Sequence, residues 1–269
     1  MHMGKIISFM NNKGGVGKTT SAHSVGLSWA KMGKKILFID LDSQSNLTSM
    51  LSETNPLVQA WERTIEDAFI AGPQDGLPIV HTDDPLIDFV PADLDLSNFE
   101  RDTANSRLKE FLLYDLLEGV KDDYDFIIID CPPALTPIVS NAMVASDYLV
   151  IVANPDGLSY KGAQMIITLY NEIISDKRLN PSLQIVGIMV TRYQKDKISD
   201  MFLERFREDY GQLILKPVIR KSTKIVQATS FNKSIFEIDP SGKATEDYVK
   251  ISQELLMRID SDVRFSEEE

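Results

Sequence analysis

The sequence predicts an α/β fold, a mostly parallel twisted sheet with helices on both faces, built as a single domain. Three observations carry this. Apolar runs of strand length alternate with amphipathic stretches of helix length, the pattern of a parallel sheet buried on both sides. The first apolar run opens into a glycine-rich turn and then a helical stretch, an order built into many such sheets. The 269 residues, 43% hydrophobic and 25% charged, have ordinary globular composition and suffice for a full core.

Taken in order, strands are expected at 5–9, 35–40, 126–130, 148–152, 184–190 and 213–218. Helical spacing is legible as Ala22/Val25/Trp29/Met32, Leu108/Phe111/Leu112/Leu116, Ala163/Ile166/Ile167/Tyr170/Ile174 and Ile198/Phe202/Phe206. A last helix carries Tyr248/Ile251/Leu255/Ile259. These faces are assigned to the core. Residues 52–105 are rich in Pro, Gly and Asp, with a short helix near 64–70 and short strands at 79–81 and 87–90. They are expected to form a variable, insertion-like region packed on the sheet edge. No Ser/Gly/Pro linker divides the chain, so one domain spans 4–258, followed by an acidic tail at 259–269.

A formal net charge of −12 argues at first sight against nucleic acid as a partner. The charge is uneven, however. Residues 1–191 carry 14 basic and 25 acidic side chains, residues 192–233 carry 10 and 5, and residues 234–269 carry 4 and 10. One basic segment is therefore set in an acidic body. The single cysteine, Cys131, allows no intramolecular disulfide and no multi-cysteine metal site, which suits a reducing compartment. No run approaches the roughly 18 apolar residues of a membrane span, and the N-terminus lacks the blocks of a signal peptide. A cytoplasmic location is expected, and Met1-His2-Met3 is given no role.

The run Asn11-Asn12-Lys13-Gly14-Gly15-Val16-Gly17-Lys18-Thr19-Thr20 joins the first strand to a helix. Its glycines let backbone N–H groups converge, and a helix N-terminus adds partial positive charge, so the turn suits a phosphate. Lys18 is expected at the β- and γ-phosphates and the Thr19 hydroxyl on Mg²⁺. The competing reading is a glycine turn with two surface lysines. Asn12 stands at the first glycine position of the strict motif, and a second lysine, Lys13, precedes Lys18 by five residues.

That departure matters, because the KGGVGKTT run resembles the deviant Walker A motif of the ParA/MinD superfamily of ATPases. The resemblance implies a P-loop NTPase-like fold, ATP and Mg²⁺ as cofactors, and a homodimer with ATP sandwiched between subunits. Lys13 would reach across that dimer to the partner's phosphates. The ATP-binding set it implies is Lys13, Gly14, Gly15, Val16, Gly17, Lys18, Thr19, Thr20 and Pro217.

Two further segments fit. Asp40 and Asp42 leave the carboxyl end of the second strand, where ligands of open α/β sheets bind. They resemble the family's switch I, in which the second aspartate positions the attacking water. Asp42 takes that role here, making it a catalytic candidate with Lys13 and Lys18, and Asp40 supports Mg²⁺. Two aspartates capping the next helix is the competing reading. The run Phe126-Ile127-Ile128-Ile129-Asp130-Cys131-Pro132-Pro133 is an apolar strand ending in a carboxylate, so Asp130 is expected at Mg²⁺, giving a metal set of Thr19, Asp40 and Asp130. Its ending resembles the family's switch II. Cys131 is read as a small buried residue.

Later segments resemble the ParA type: Thr191-Arg192 after the strand at 184–190, and the block from Ile219 to Pro240, with Asn232 where the family has Gly. The acidic ending argues against a membrane anchor, and the motif starts too near the N-terminus for a preceding operator-binding domain. The implied function is an ATPase whose ATP dimer binds DNA non-specifically, associates with the nucleoid and works with a ParB-like adaptor to partition DNA. Basic candidates are Arg192, Lys195, Lys197, Lys216, Arg220, Lys221, Lys224 and Lys233, with Arg220, Lys221 and Lys224 favoured. The alternative is a related switch that positions a protein complex. A metabolic enzyme would need a small-molecule pocket, for which 52–105 is the one candidate, and Lys13 argues against it.

Overall fold

Alternate residues of a strand point to opposite faces, and in this protein both faces are covered. The computed structural model describes residues 4–52, 61–98 and 110–261. Strands β1 (Lys5–Met10), β2 (Ile36–Asp40), β3 (Val80–His81), β4 (Ile87–Val90), β5 (Phe126–Asp130), β6 (Tyr148–Ala153) and β7 (Gln184–Val190) form one seven-stranded sheet of order β3-β4-β2-β5-β1-β6-β7. All neighbours run parallel except β3 with β4.

The helices among the described residues are α1 (Lys18–Lys31), α2 (Asn46–Ser52), α3 (Ile65–Ala71), α4 (Leu112–Glu118), α5 (Pro137–Ala145), α6 (Gly157–Ser175), α7 (Lys197–Tyr210), α8 (Thr223–Ser230), α9 (Ile235–Ile238) and α10 (Lys243–Asp260). Ile6, Leu37, Ile127 and Leu149 pack under α3 to α7 on one face, while Ile7, Phe38, Ile128 and Val150 pack under α1 and α10 on the other. Each fully buried branched side chain is worth about 1.5–3 kcal/mol. Polar contacts fix the second layer: Trp29 Nε1 donates to the Ser252 carbonyl at 2.9 Å, and the Ser28 and Ser252 hydroxyls lie 2.6 Å apart.

The expected parallel sheet is present, with corrections at particular elements. The segment expected as a strand at 213–218 is not one. It lies beside β7 through Leu215 N–H to Ile188 O (3.0 Å) and Ile219 N–H to Val190 O (2.9 Å), forming an isolated bridge at Ile214. Pro217 between them has no N–H to donate, so no continuous ladder forms. The helix read from Leu108 onward begins at Leu112 and buries Leu113, Leu116 and Leu117, leaving Phe111 at its cap, 36% exposed. Leu108 lies outside the described residues. Met32 and Ile198 sit at helix ends and are exposed. Residues 61–98 supply the outer strands β3 and β4 of the same sheet. Cys131 is buried, as expected.

His23, on α1 against Phe38 (ring centroids 6.1 Å), is buried and its Nδ1 lacks a hydrogen-bond partner. Burial pulls its pKa down to about 4, whereas an unfolded chain protonates histidine near about 6.5. Between those values the unfolded state binds more protons, so this contribution is present above about 6.5 and is lost as pH falls towards 4. Thermal unfolding at pH 7 and pH 5 should show a smaller acid-induced fall in Tm for His23→Gln than for the native protein. Equal falls would remove His23 as the cause.

Candidate functional site

Parallel pairing brings the carboxyl ends of β1, β2 and β5 together, and the register sets Asp130 beside both Phe9 and Asp40. The loop after β1 turns over this edge. Asn11, buried, donates from Nδ2 to the Val152 carbonyl at 2.7 Å and accepts the Lys13 N–H on Oδ1 at 2.9 Å. Gly15 and Gly17 have φ of 73° and 90°, the left-handed region that side-chain-bearing residues avoid. No side chain caps α1 at Gly17, so its first amides remain for an anion. The Thr191 hydroxyl ties the loop to the end of β7, donating to the Val16 carbonyl at 2.6 Å. The Val16 side chain itself is buried.

A cleft of about 400 Å³ lies over this loop. Gly14, Gly15, Gly17, Lys18, Thr19, Thr20 and Asp42 line it, as do Gln44, Asn46, Met50, Pro133, Arg192, Thr229 and Asn232. The second group was not assigned to the nucleotide from the sequence. Arg192, counted there among the basic candidates, and Asn232, where the family has Gly, both hold left-handed backbones with φ of 51° and 53°, a region Asn tolerates better than most residues. Gln44, Pro133, Arg192 and Asn232 follow the ends of β2, β5, β7 and α8, whereas Asn46 and Met50 belong to α2 and Thr229 to α8. Pro217, Arg220, Lys221 and Lys224 are outside this lining.

The electrostatics centre on Asp130. Its carboxylate is fully buried and neither oxygen has a hydrogen-bond partner of normal geometry, with the Thr19 hydroxyl the neighbouring donor. Burial, reinforced by Asp40, pushes its pKa well above the usual carboxylate range, against the opposing pull of Thr19 and Lys18. Burial lowers the pKa of Lys18, which Asp130 and Asp42 counteract. An orphaned carboxylate beside a hydroxyl fits a hard divalent cation that takes oxygen ligands. Asp40 is more committed. Its Oδ1 accepts the Asp42 N–H at 3.0 Å, and its Oδ2 accepts both the N–H and hydroxyl of Thr48 at 2.9 and 2.8 Å. Burial raises Asp40 to about 6 despite these donors. One acceptor position on Oδ1 is left for support of a cation. Asp42 sits nearer the opening and accepts the Gln44 N–H at 3.0 Å.

Lys13 folds back on its own chain. Its Nζ lies 2.9 Å and 3.1 Å from the two oxygens of Asp156 and 3.3 Å from the Ser159 hydroxyl. Asp156 caps α6 by accepting the Ser159 N–H at 2.9 Å, and the ion pair is partly exposed, 28% and 37% for its two side chains.

A protein-family profile described as an AAA domain matches residues 4–185. The sporulation initiation inhibitor protein Soj of Bacillus subtilis is 32% identical over 257 residues, covering 94% of this chain and 98% of the relative. The chromosome-partitioning ATPase Soj of Treponema pallidum is 31% identical over 259 residues, covering 95% and 98%. This chain belongs to the ParA-type partition ATPases of the ParA/MinD superfamily. Its fold also matches a variant of McdA from Cyanothece solved with ATP, at a TM-score of 0.82 and 24% identity over 96% of this chain and 97% of that one. Of the loop's two lysines, Lys18 lines the cleft, and Lys13 lies outside its lining, paired with Asp156.

Asn caps helices about as well as Asp, so Asp156→Asn should keep α6 while releasing Lys13. Acylation of Lys13 by an amine-reactive ester, scored by mass spectrometry against exposed Lys195, should rise roughly two- to five-fold, the equivalent of about 0.5–1 kcal/mol for an exposed ion pair. An unchanged ratio would mean that Asp156 does not restrain Lys13.

Proposed function

We propose that this protein hydrolyses ATP to ADP and phosphate with Mg²⁺, dimerises around ATP, binds DNA non-specifically as that dimer, and partitions DNA with a ParB-like adaptor. The observation that carries the reading is the loop with Lys18 buried beside Asp130 and Lys13 at its rim. Backbone amides of Gly14 to Thr20 and the Lys18 ammonium bind the phosphates, which costs little reorganisation because the loop is already braced by Asn11 and Thr191. Thr19 and Asp130 would hold Mg²⁺, with Asp40 in support, and the ion would offset phosphate charge. Asp42 orients the attacking water, a task that asks little of a base in a dissociative phosphoryl transfer. Lys13 leaves Asp156 and adds positive charge to the partner's phosphates.

The DNA surface we assign is the loop at the start of α8. Lys221 is exposed there, and Lys224, also exposed, donates from Nζ to Gln227 Oε1 at 3.2 Å. Arg220 is more constrained, held by both oxygens of Asp247 and by the Lys243 carbonyl, with its side chain 41% exposed. It anchors the loop to α10. No helix among the described residues is long and apolar enough to cross a membrane, and the reading has a cytoplasmic, nucleoid-associated protein. Of the acidic tail expected at 259–269, Ile259 and Asp260 still belong to α10, and residues 262–269 lie outside the described residues.

Three substitutions separate the roles. Lys18→Ala should weaken nucleotide binding by about 10- to 100-fold, the loss of a charge-assisted hydrogen bond. Lys13→Ala should keep nucleotide but lose dimerisation by light scattering and stimulated turnover. Asp42→Ala should slow hydrolysis by about 10²-fold or more and trap the DNA-bound ATP dimer. A monomeric, DNA-free Asp42→Ala protein, or normal stimulated turnover in Lys13→Ala, would refute the respective role. For DNA, two lysines on each of two subunits predict retention falling by roughly 10²-fold between 50 and 200 mM salt with ATP, and little retention in the Lys221→Ala/Lys224→Ala variant. Intact dimerisation without DNA retention would instead favour a switch that positions a protein complex.

A further inference from the structure

One buried hydroxyl joins the nucleotide cleft to the insertion-like region. Thr48, on α2, is 1% exposed. Its hydroxyl donates to Asp40 Oδ2 at 2.8 Å and accepts the N–H of Ala92 at 3.0 Å. Ala92 is itself buried and follows β4, and the preceding carbonyl, of Pro91, accepts the Ile65 N–H that starts α3 at 2.9 Å. At the other end, Asp40 Oδ1 holds the backbone N–H of Asp42. A continuous line of hydrogen bonds thus runs from Asp42 through Asp40 and Thr48 to the turn at 91–92 and on to α3. Each link is buried or nearly so, where a broken bond leaves an unsatisfied group at a cost of about 1–3 kcal/mol. The two ends are therefore mechanically tied: Asp42 cannot shift its backbone without either stretching this line or moving the 91–92 turn with it.

We propose that Thr48 is a positioning residue that couples the turn at 91–92 to Asp42 through Asp40, so that residues 61–98 change conformation with the nucleotide state of the cleft. The role given to Asp42 rests on the ATPase reading above; the coupling does not require hydrolysis. The region contains its own reporter. Trp61, one of two tryptophans in the chain, packs edge-on against Phe89 of β4 at 5.5 Å, close to the turn. The second, Trp29, is fully buried against Phe126.

The experiment uses the full chain, with Thr48→Val to remove the hydroxyl at nearly constant volume and Thr48→Ser to keep it. Emission attributable to Trp61, isolated by subtracting a Trp61→Phe control, is followed on adding Mg-ADP and Mg-ATP, alongside kcat and KM. In the native protein nucleotide should shift this emission. Thr48→Val should lose most of the shift and about tenfold or more of kcat, with KM within about threefold, because a hydrogen bond to a buried charged group is lost from the positioning line rather than from the phosphate cradle. Thr48→Ser should restore both. A full Trp61 response in Thr48→Val, or equal losses in Val and Ser variants, would overturn the proposal, since the second result makes the γ-methyl packing the cause. If Thr48→Val does not fold, hydrogen exchange of the Ala92 amide in the native protein decides: nucleotide-dependent protection supports the coupling and unchanged protection overturns it. Should Asp42→Ala hydrolyse ATP normally, the catalytic reading fails while the Trp61 response still stands or falls on its own.

Discussion

Two buried carboxylates on adjacent strands, Asp40 and Asp130, meet at the ends of β2 and β5, and the buried ammonium of Lys18, from the first turn of α1, lies beside Asp130. In water such charges would be held apart and hydrated. Here parallel pairing forces them together, burial raises both carboxylate pKa values, and one lysine is too little positive charge to balance them. The rest of the site can be understood as a response to that constraint. Asp40 is satisfied internally by Thr48 and the Asp42 amide. Neither Asp130 oxygen has a hydrogen bond of normal geometry, the Thr19 hydroxyl being the neighbouring donor, which makes Asp130 the group that gains most from a cation. The imbalance that would be a defect in a structural core is a source of affinity in a site for Mg²⁺ and phosphate.

That constraint needs a rigid frame. Ligand-bearing loops hold their geometry only when strands and helices on either side are fixed, and here both sides contribute. The layer of α1 and α10, pinned at Ser28, Trp29 and Ser252, fixes the helix whose first turn carries Lys18 and Thr19. The opposite layer supplies α6, whose N-terminus holds Asp156 against Lys13. The glycine loop is thus suspended between two faces of one sheet, tied to β6 through Asn11 and to β7 through Thr191.

Which parts of this were legible in the sequence follows from how local each one is. The phosphate loop, Asp40, Asp42 and Asp130 were legible because each sits within a few residues of a strand end, and strand length and hydropathy fix where that end falls. Asp156 and Thr48 were not, because their partners lie 143 and 8 residues away and are matched only by the folded sheet. The capping alternative for Asp40 had substance: it does brace α2 through Thr48. The segment at 213–218 failed differently. Its apolar run has strand character, but Pro217 denies it a ladder, so it borders β7 by scattered bonds. Helix α2 escaped notice because it is only seven residues long and starts from a left-handed Ser45, with no amphipathic period to announce it.

The net charge of −12 takes on a spatial meaning once the strand order is known. Residues 61–98, with nine acidic side chains and one basic, form β3 and β4 at one edge of the sheet. The basic segment at 192–233 follows β7, borders that opposite edge at 214–220, and reaches the nucleotide cleft with Arg192, Thr229 and Asn232. The sheet therefore separates charge across its width, and a polyanion meets attraction at one edge and repulsion at the other. Such a field orients the protein before any contact forms, and its reach is about a Debye length, near 8 Å at physiological salt. On the DNA reading proposed above, such orientation would present Lys221 and Lys224 to the polyanion.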